Sequence, residues 1–441
     1  MITPTTTHEA ASASRVRHLI IAVLMQLLVS LTYSYSVFRV PLGLLHGWSK
    51  AQTIAPYRYM LLMVSIGSVI GGLWQDRKGG RVVASTGGLM IGAGCLLAVW
   101  FGDTIEGLIL TFGVIVGLGV GLAYVTPIAN LLKWFPDKRG MVVGFAVMGS
   151  GFSALFWGPL IEALVGKDPA QYAVSIPRTY MTMAVIFSVA VIGMAQLYRL
   201  PPGGWKPAGW TPPVGARVAH SLSTMQMFGT WQFYALWLTY FLGSSVGLTA
   251  IGQAPPLLRE LGGPAAPISG GVALGVLGIF NACGRLAWGS LSDRAGRRWT
   301  LLAMGAVSIV ACMVFLREAS GFWMALIGLC MAAVAYSGYL ALMPAFTADY
   351  FGPKNVGGNY GILFTAWGIC GFVVPGYFET MLDHARDAGN LAAGYREVYL
   401  ELAVMAVVVA VLSSFLHPPR GTTTQGRIEI SNVVGQQVTS S

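Results

Sequence analysis

The sequence predicts an all-α integral membrane protein whose twelve transmembrane helices form two pseudo-symmetric six-helix bundles. Three observations carry this prediction: composition, the spacing of apolar runs, and an internal repeat. Of 441 residues, 55% are hydrophobic and only 10% are charged, against about 25% charged in an ordinary soluble domain. Twelve crossings of a ~30 Å hydrocarbon layer use roughly 240 residues as helix, which the chain accommodates with loops to spare.

The apolar runs lie at 18–41, 52–75, 82–101, 104–132, 141–165 and 177–199, then at 230–256, 268–291, 299–316, 321–348, 356–381 and 393–416. The first follows Arg15 and Arg17 as a secretory leader would. It is longer than a ~7–15-residue leader core and lacks a small-residue cleavage site, so it is read as the first span. A Pro/Gly-rich stretch at 201–220 is the one long polar connection between spans. The predicted organisation is therefore a tail over 1–17, a first bundle over 18–200, a linker over 201–229, a second bundle over 230–417 and a polar tail over 418–441.

The net charge of +10 comes from short clusters between apolar runs, not from one basic face, which argues against a nucleic-acid partner and for topogenic loops. Alternating the loops puts 17 of the 27 Lys and Arg residues on the side of both termini and 9 near the other boundary. By the positive-inside bias, both termini are expected in the cytoplasm of a multi-pass plasma-membrane protein. The five cysteines lie in apolar segments without metal-like spacing and read as small packing residues.

The repeat is the most specific signal. Gly72-Leu-Trp-Gln-Asp76-Arg77-Lys78-Gly79-Gly80-Arg81 follows the second span, and Gly289-Ser-Leu-Ser-Asp293-Arg294-Ala-Gly296-Arg297-Arg298 follows the eighth, at an offset of 217 residues. Trp134-Phe-Pro-Asp-Lys138-Arg-Gly140 against Tyr350-Phe-Gly-Pro-Lys354-Asn355, and Pro159 against Pro375, share an offset of 216. One constant offset implies two parallel halves related by an axis along the membrane normal.

Arg285 lies deep in an otherwise apolar run. A charge at that depth costs at least ~2.5–3.5 kcal/mol and has to face a wet cavity or a partner. Its permanently charged, planar fork matches a carboxylate, and no Asp or Glu lies at comparable depth. Asn281, four residues earlier, shares its helical face and is suited either to orient the guanidinium or to bond a substrate. Tyr124 in the fourth span, Tyr336 and Tyr339 in the tenth and Tyr35 in the first are phenols away from the usual membrane-boundary belt, each able to donate to an anion. Glycines such as Gly149, Gly151, Gly368 and Gly371 read as helix-packing positions. No histidine lies mid-span and no nucleophile or metal cluster is evident, so neither an enzyme nor a cofactor is expected. A sensor is disfavoured because the short linker and tail offer no output domain.

The doubled G-x-x-x-D-R-x-G-R-R pattern resembles the loop signature of the major facilitator superfamily. Further matches resemble its oxalate:formate antiporter branch and the related monocarboxylate transporters: Tyr35-Ser-Val-Phe38 running into Pro41, the glycines beside Tyr124, Asn281-Ala-Cys-Gly-Arg285, and Asn359-Tyr-Gly-Ile-Leu-Phe-Thr-Ala-Trp367-Gly368. The resemblance implies that Arg285 holds the substrate carboxylate. It also implies that Asp76 and Asp293, with Arg77, Arg81, Arg294, Arg297 and Arg298, form conformational latches; Gly80 replaces an expected Arg, so the first latch should be the weaker. Arg39 stands where eukaryotic relatives carry a lysine and is expected to be a vestibule cation or a snorkelling boundary residue. Trp367 stands where the oxalate transporters carry a second cation, and Asn281 where monocarboxylate transporters carry an aspartate. A single cation implies small monocarboxylates, such as lactate, pyruvate or formate, over dicarboxylates. The expectation is a monomeric, bilayer-embedded carrier of a small carboxylate anion with protons as the candidate coupling ion; exchange of carboxylates is the alternative.

Overall fold

The computed structural model describes residues 4–30, 35–202, 205–207, 210, 221–263, 267–268 and 270–419. Fourteen helices organise them. In the first half, α1 is Pro4–Val29, α2 Ser36–His46, α3 Lys50–Lys78, α4 Gly80–Phe101, α5 Ile105–Trp134, α6 Arg139–Val165 and α7 Tyr172–Gln196. The second half holds the short α8, Thr224–Phe228, then α9 Trp231–Gly262, α10 Gly270–Ala295, α11 Arg297–Leu316, α12 Phe322–Phe351, α13 Val356–Asp387 and α14 Leu391–Phe415. Eleven helices among the described residues are long and apolar enough to cross a membrane.

The first predicted span, 18–41, is divided between two helices. α1 begins at Pro4, inside the stretch read as a tail, and ends at Val29, while α2 restarts at Ser36. The last carbonyls of a helix have no partner within it, and here α6 supplies two. Trp157 Nε1 donates to the Leu27 carbonyl at 2.8 Å, and Ser153 Oγ to that of Ser30 at 2.9 Å.

Matching sequence gives matching turns in the two halves. Gly79 between α3 and α4 (φ 83°) and Gly296 between α10 and α11 (φ 91°) both take positive φ, which glycine adopts without a Cβ penalty and which sharply reverses the chain. The halves meet chiefly where α3 packs on α13 and α6 on α10. At each crossing two glycines face each other. A Cβ on Gly72 would overlap the Gly357 backbone, and one on Gly289 that of Gly140, so the helices touch backbone to backbone.

The linker is described only in part. Trp205 Nε1 donates to the Trp134 carbonyl at 3.1 Å, and Leu222 pairs with the Phe351 carbonyl at 2.8 Å, so its two ends dock on different halves. Residues 420–441 of the predicted tail lie outside the described residues.

Candidate functional site

Arg285 is 2% exposed, near the middle of α10 and facing α6 across the interface between halves. Its Nε donates to Asn281 Oδ1 at 3.0 Å, one helical turn earlier. Its Nη1 donates to the Val147 carbonyl and to Ser150 Oγ, both on α6. Asn281 spends its amide on the Ala333 carbonyl of α12 at 3.2 Å, so it orients the guanidinium from a fixed position. Every one of these acceptors is neutral.

A small central cavity of about 20 Å³ lies between the halves. Tyr124 and Trp367 line it together with Phe364, which stacks on both: ring centroids are 5.0 Å from Tyr124 and 4.9 Å from Trp367. Trp367 Nε1 donates to the Tyr336 hydroxyl at 2.8 Å, which fixes the indole in place. Tyr339 is buried one turn away on α12, its ring seated against Gly243 of α9. Two phenols that sequence reading passed over complete the group. Tyr360 lies beside Tyr124, Tyr240 and Arg285, and both Tyr240 and Tyr360 pack on Phe364. Their spacing gave a signal, since Tyr360, Phe364 and Trp367 fall on one face of α13 at helical intervals.

Other predicted residues are placed elsewhere. Tyr35 sits at the start of α2 in an aromatic cluster with Phe38, Phe112 and Tyr57, its hydroxyl donating to the Thr53 carbonyl at 3.3 Å. Arg39 is half-buried on α2, with a buried Nε that has no hydrogen-bond partner among the described residues. Far from the basic loops, Arg58 of α3 reaches across to α13, donating to the Phe372 carbonyl from Nε at 3.1 Å and Nη2 at 2.8 Å. Sequence reading took it only as a boundary cation.

At the basic-loop end the two repeats bridge the halves reciprocally. Asp293 at the end of α10 accepts from the Gly140 and Met141 amides at 2.9 and 2.8 Å, capping α6. Arg297 holds Asp293 at 2.7 Å and Asp349 at 2.8 Å, and Arg139 reaches Asp349 at 2.6 Å. Asp76 at the end of α3 accepts from the Gly358 amide at 2.8 Å, capping α13, and pairs with Lys133 at 3.4 Å. Such a carboxylate satisfies orphan helix amides and complements the helix dipole. Of the other predicted latch cations, Arg77, Arg294 and Arg298 are exposed, and Arg81 donates to the Tyr198 carbonyl at 2.6 Å.

Two apolar helical bundles clasped at both ends, with a small aromatic cavity and a buried cation between them, have the architecture of a membrane transporter. Residues 19–375 and 270–434 match the Major Facilitator Superfamily, and the chain belongs to that family. It is a multi-pass transporter of the plasma membrane and not an enzyme. It is 26% identical to the "Oxalate:formate antiporter" of Oxalobacter formigenes over 94% of both chains. It is also 23% identical to "Monocarboxylate transporter 12" of Xenopus laevis over 78% of this chain and 76% of that one. In fold it resembles the proton:xylose symporter XylE, with a TM-score of 0.70 at 16% identity over 92% of this chain and 96% of the other.

Proposed function

We propose that the protein is a secondary active transporter of small monocarboxylates, coupled to protons, in which Arg285 binds the substrate carboxylate in the centre of the fold. One observation carries this reading: Arg285 is buried, and its bonds go only to the neutral acceptors Asn281, Val147 and Ser150. An uncompensated buried charge is costly, and an anion that exchanges for these weak partners recovers that cost. Because Val147 and Ser150 belong to the opposite half, a carboxylate that takes their place on the guanidinium loosens one link between the halves. That gives substrate binding a direct handle on alternating access.

The neutral Trp367, tied to Tyr336, leaves Arg285 as the single cation of the site and favours one carboxylate over two. Tyr360, next to Tyr124 and Tyr240, offers a hydroxyl near Arg285, while Tyr336 backs Trp367 and Tyr339 is buried on α12. No Asp, Glu or His stands with Arg285 among the described residues of the site, so the proton travels on the substrate acid. The orientation follows from the loop charges, with both termini cytoplasmic and the halves, 18–200 and 230–417, rocking as a monomer. The antiporter likeness over nearly the whole chain favours a second reading, carboxylate exchange.

Arg285→Lys and Arg285→Ala are expected to lower uptake by roughly 100-fold with normal membrane insertion, in line with the ~3 kcal/mol for losing one member of a buried charge pair. Full transport by the lysine variant overturns the assignment. Trp367→Lys is expected to make oxalate and malonate effective competitors; unchanged competition rejects the charge-counting argument. In liposomes free of internal carboxylate, an inward proton gradient should drive accumulation. Uptake that requires a loaded counter-anion establishes exchange instead.

A further inference from the structure

We propose that the N-terminal half carries, at its basic-loop end, a binding site for a phosphate-bearing anion in the space that Arg297 and Asp349 fill in the C-terminal half. The cleft lies between the end of α3, the start of α4, the last turns of α5 and the segment after α7, and has a volume of about 410 Å³. Lys78, Arg81, Lys133 and Arg199 line it; Lys78, Arg81 and Arg199 are exposed, and Arg81 and Lys133 are tied to the wall. Arg81 is held by the Tyr198 carbonyl, and Lys133 by Asp76 at 3.4 Å. Asp76 is the one carboxylate that reaches these cations through an ion pair among the described residues, and its other oxygen is occupied by the Gly358 amide.

Three neutral groups in the same wall are unsatisfied. Asn130 is only 7% exposed, and both its side-chain oxygen and its nitrogen lack a partner. Gln75 Nε2 and the Tyr198 hydroxyl, also buried, lack partners as well. Burial pushes the Tyr198 phenol well above its ordinary pKa, so it remains an O–H donor. Buried polar groups are normally satisfied, and several orphans converging on one cleft point to a missing ligand.

The pseudo-symmetry says what that ligand supplies. Gly80 occupies the position equivalent to Arg297 at the 217-residue offset, and Lys133 that of Asp349 at 216. In the C-terminal half an arginine fills the space and an aspartate neutralises it; in the N-terminal half a glycine opens it and a lysine makes it basic. A Cβ on Gly80 would strike the Thr126 methyl, so glycine is also what lets α4 pack close to α5 beside the cleft. The missing group is therefore an anion. Four cations and three further polar groups exceed what the two oxygens of a carboxylate can engage, and suit a tetrahedral phosphate. The cleft is also distinct from the transport site: Asn130 lies six residues beyond Tyr124 on α5, about 9 Å along the helix. A phospholipid headgroup and a soluble phosphate share this chemistry.

The test uses the full-length purified protein. Retention of phosphatidylglycerol against phosphatidylcholine is read by native mass spectrometry, and millimolar inorganic phosphate is titrated calorimetrically. Wild type should retain phosphatidylglycerol preferentially. Lys78→Gln/Arg199→Gln, at exposed positions, should weaken binding roughly 30-fold, at about 1 kcal/mol per cation. Asn130→Leu should weaken it about fivefold through lost hydrogen bonding. Arg17→Gln/Lys138→Gln removes the same charge from the same end outside the cleft and should leave binding near wild type. Binding of the lipid without inorganic phosphate identifies a headgroup site; binding of inorganic phosphate identifies a soluble anion. Equal binding by wild type and the cleft variants, or an equal loss in the control pair, overturns the proposal.

Discussion

The two loop repeats share a pattern but not a mechanism. In the C-terminal copy Asp293 caps two amides of α6 and is backed by Arg297, which shares Asp349 with Arg139, so four charged side chains from both halves form one network. In the N-terminal copy Asp76 caps the start of α13, chiefly through the Gly358 amide at 2.8 Å with a weaker contribution from Gly357, and meets one cation among the described residues, Lys133, at a longer 3.4 Å. The difference follows from two substitutions at equivalent positions, Gly80 for Arg297 and Lys133 for Asp349. The lysine takes up part of the role that the absent arginine leaves open. The repeat thus holds two unequal sets of contacts, and under the proposed rocking of the halves the smaller set is expected to release first.

Removing charges one at a time tests that inequality, with deuterium exchange in the first turns of α6 and α13 as the readout. The largest effect is expected for Asp293→Asn. An amide side chain keeps one acceptor but loses the second cap bond and the ion pair to a mostly buried Arg297, at a cost of about 3 kcal/mol. Exchange at Gly140 and Met141 should rise roughly 100-fold while the α13 amides change little. Asp349→Asn should come next: Arg297 keeps Asp293, but Arg139 loses its partner, at about 1–2 kcal/mol. Asp76→Asn should cost ~1 kcal/mol, because the asparagine oxygen still accepts from Gly358; faster exchange there than Asp293→Asn produces at Gly140 reverses the ranking. Lys133→Met should be smallest, about 0.5 kcal/mol, since the pair is long at 3.4 Å and the cap to Gly358 is untouched. A large effect at Lys133 makes the two clasps equivalent.

Arg58 offers a sharper contrast between the two ends of the molecule. The far-end clasp relies on one guanidinium donating twice to the Phe372 carbonyl, without a carboxylate. Arg58→Gln should therefore open that end by about 1–2 kcal/mol with no added sensitivity to salt, unlike the ion-paired basic end. Cysteine labelling in the central cavity from that side checks it, and labelling no faster than wild type rejects the clasp.

Hydropathy, loop charge and a constant repeat offset determined the helices and the duplication, because a spanning helix must satisfy its backbone internally and so writes a long apolar run into the chain; the family was legible only through the resemblance of the loop motif. The same logic exposed Arg285, since a charge in an apolar run is conspicuous whatever it touches. Asp76 and Asp293 were legible from the repeat. Arg297 was read with Asp293 as part of the latch, but Lys133, Arg139 and Asp349 were not, because their contacts join positions far apart in sequence that only the packing of α3 on α5, α6 on α12 and α11 on α12 brings together. Tyr240 and Tyr360 were passed over because an aromatic in an apolar helix looks alike whether it lines a cavity or faces lipid. The break between α1 and α2 was hidden for a related reason: the groups that make it tolerable, Ser153 and Trp157, are on another helix. Sequence by itself determined where the charges and crossings lie; the tertiary structure decided which charges meet, because pairing across an interface is a property of helix packing and leaves no local period in the chain.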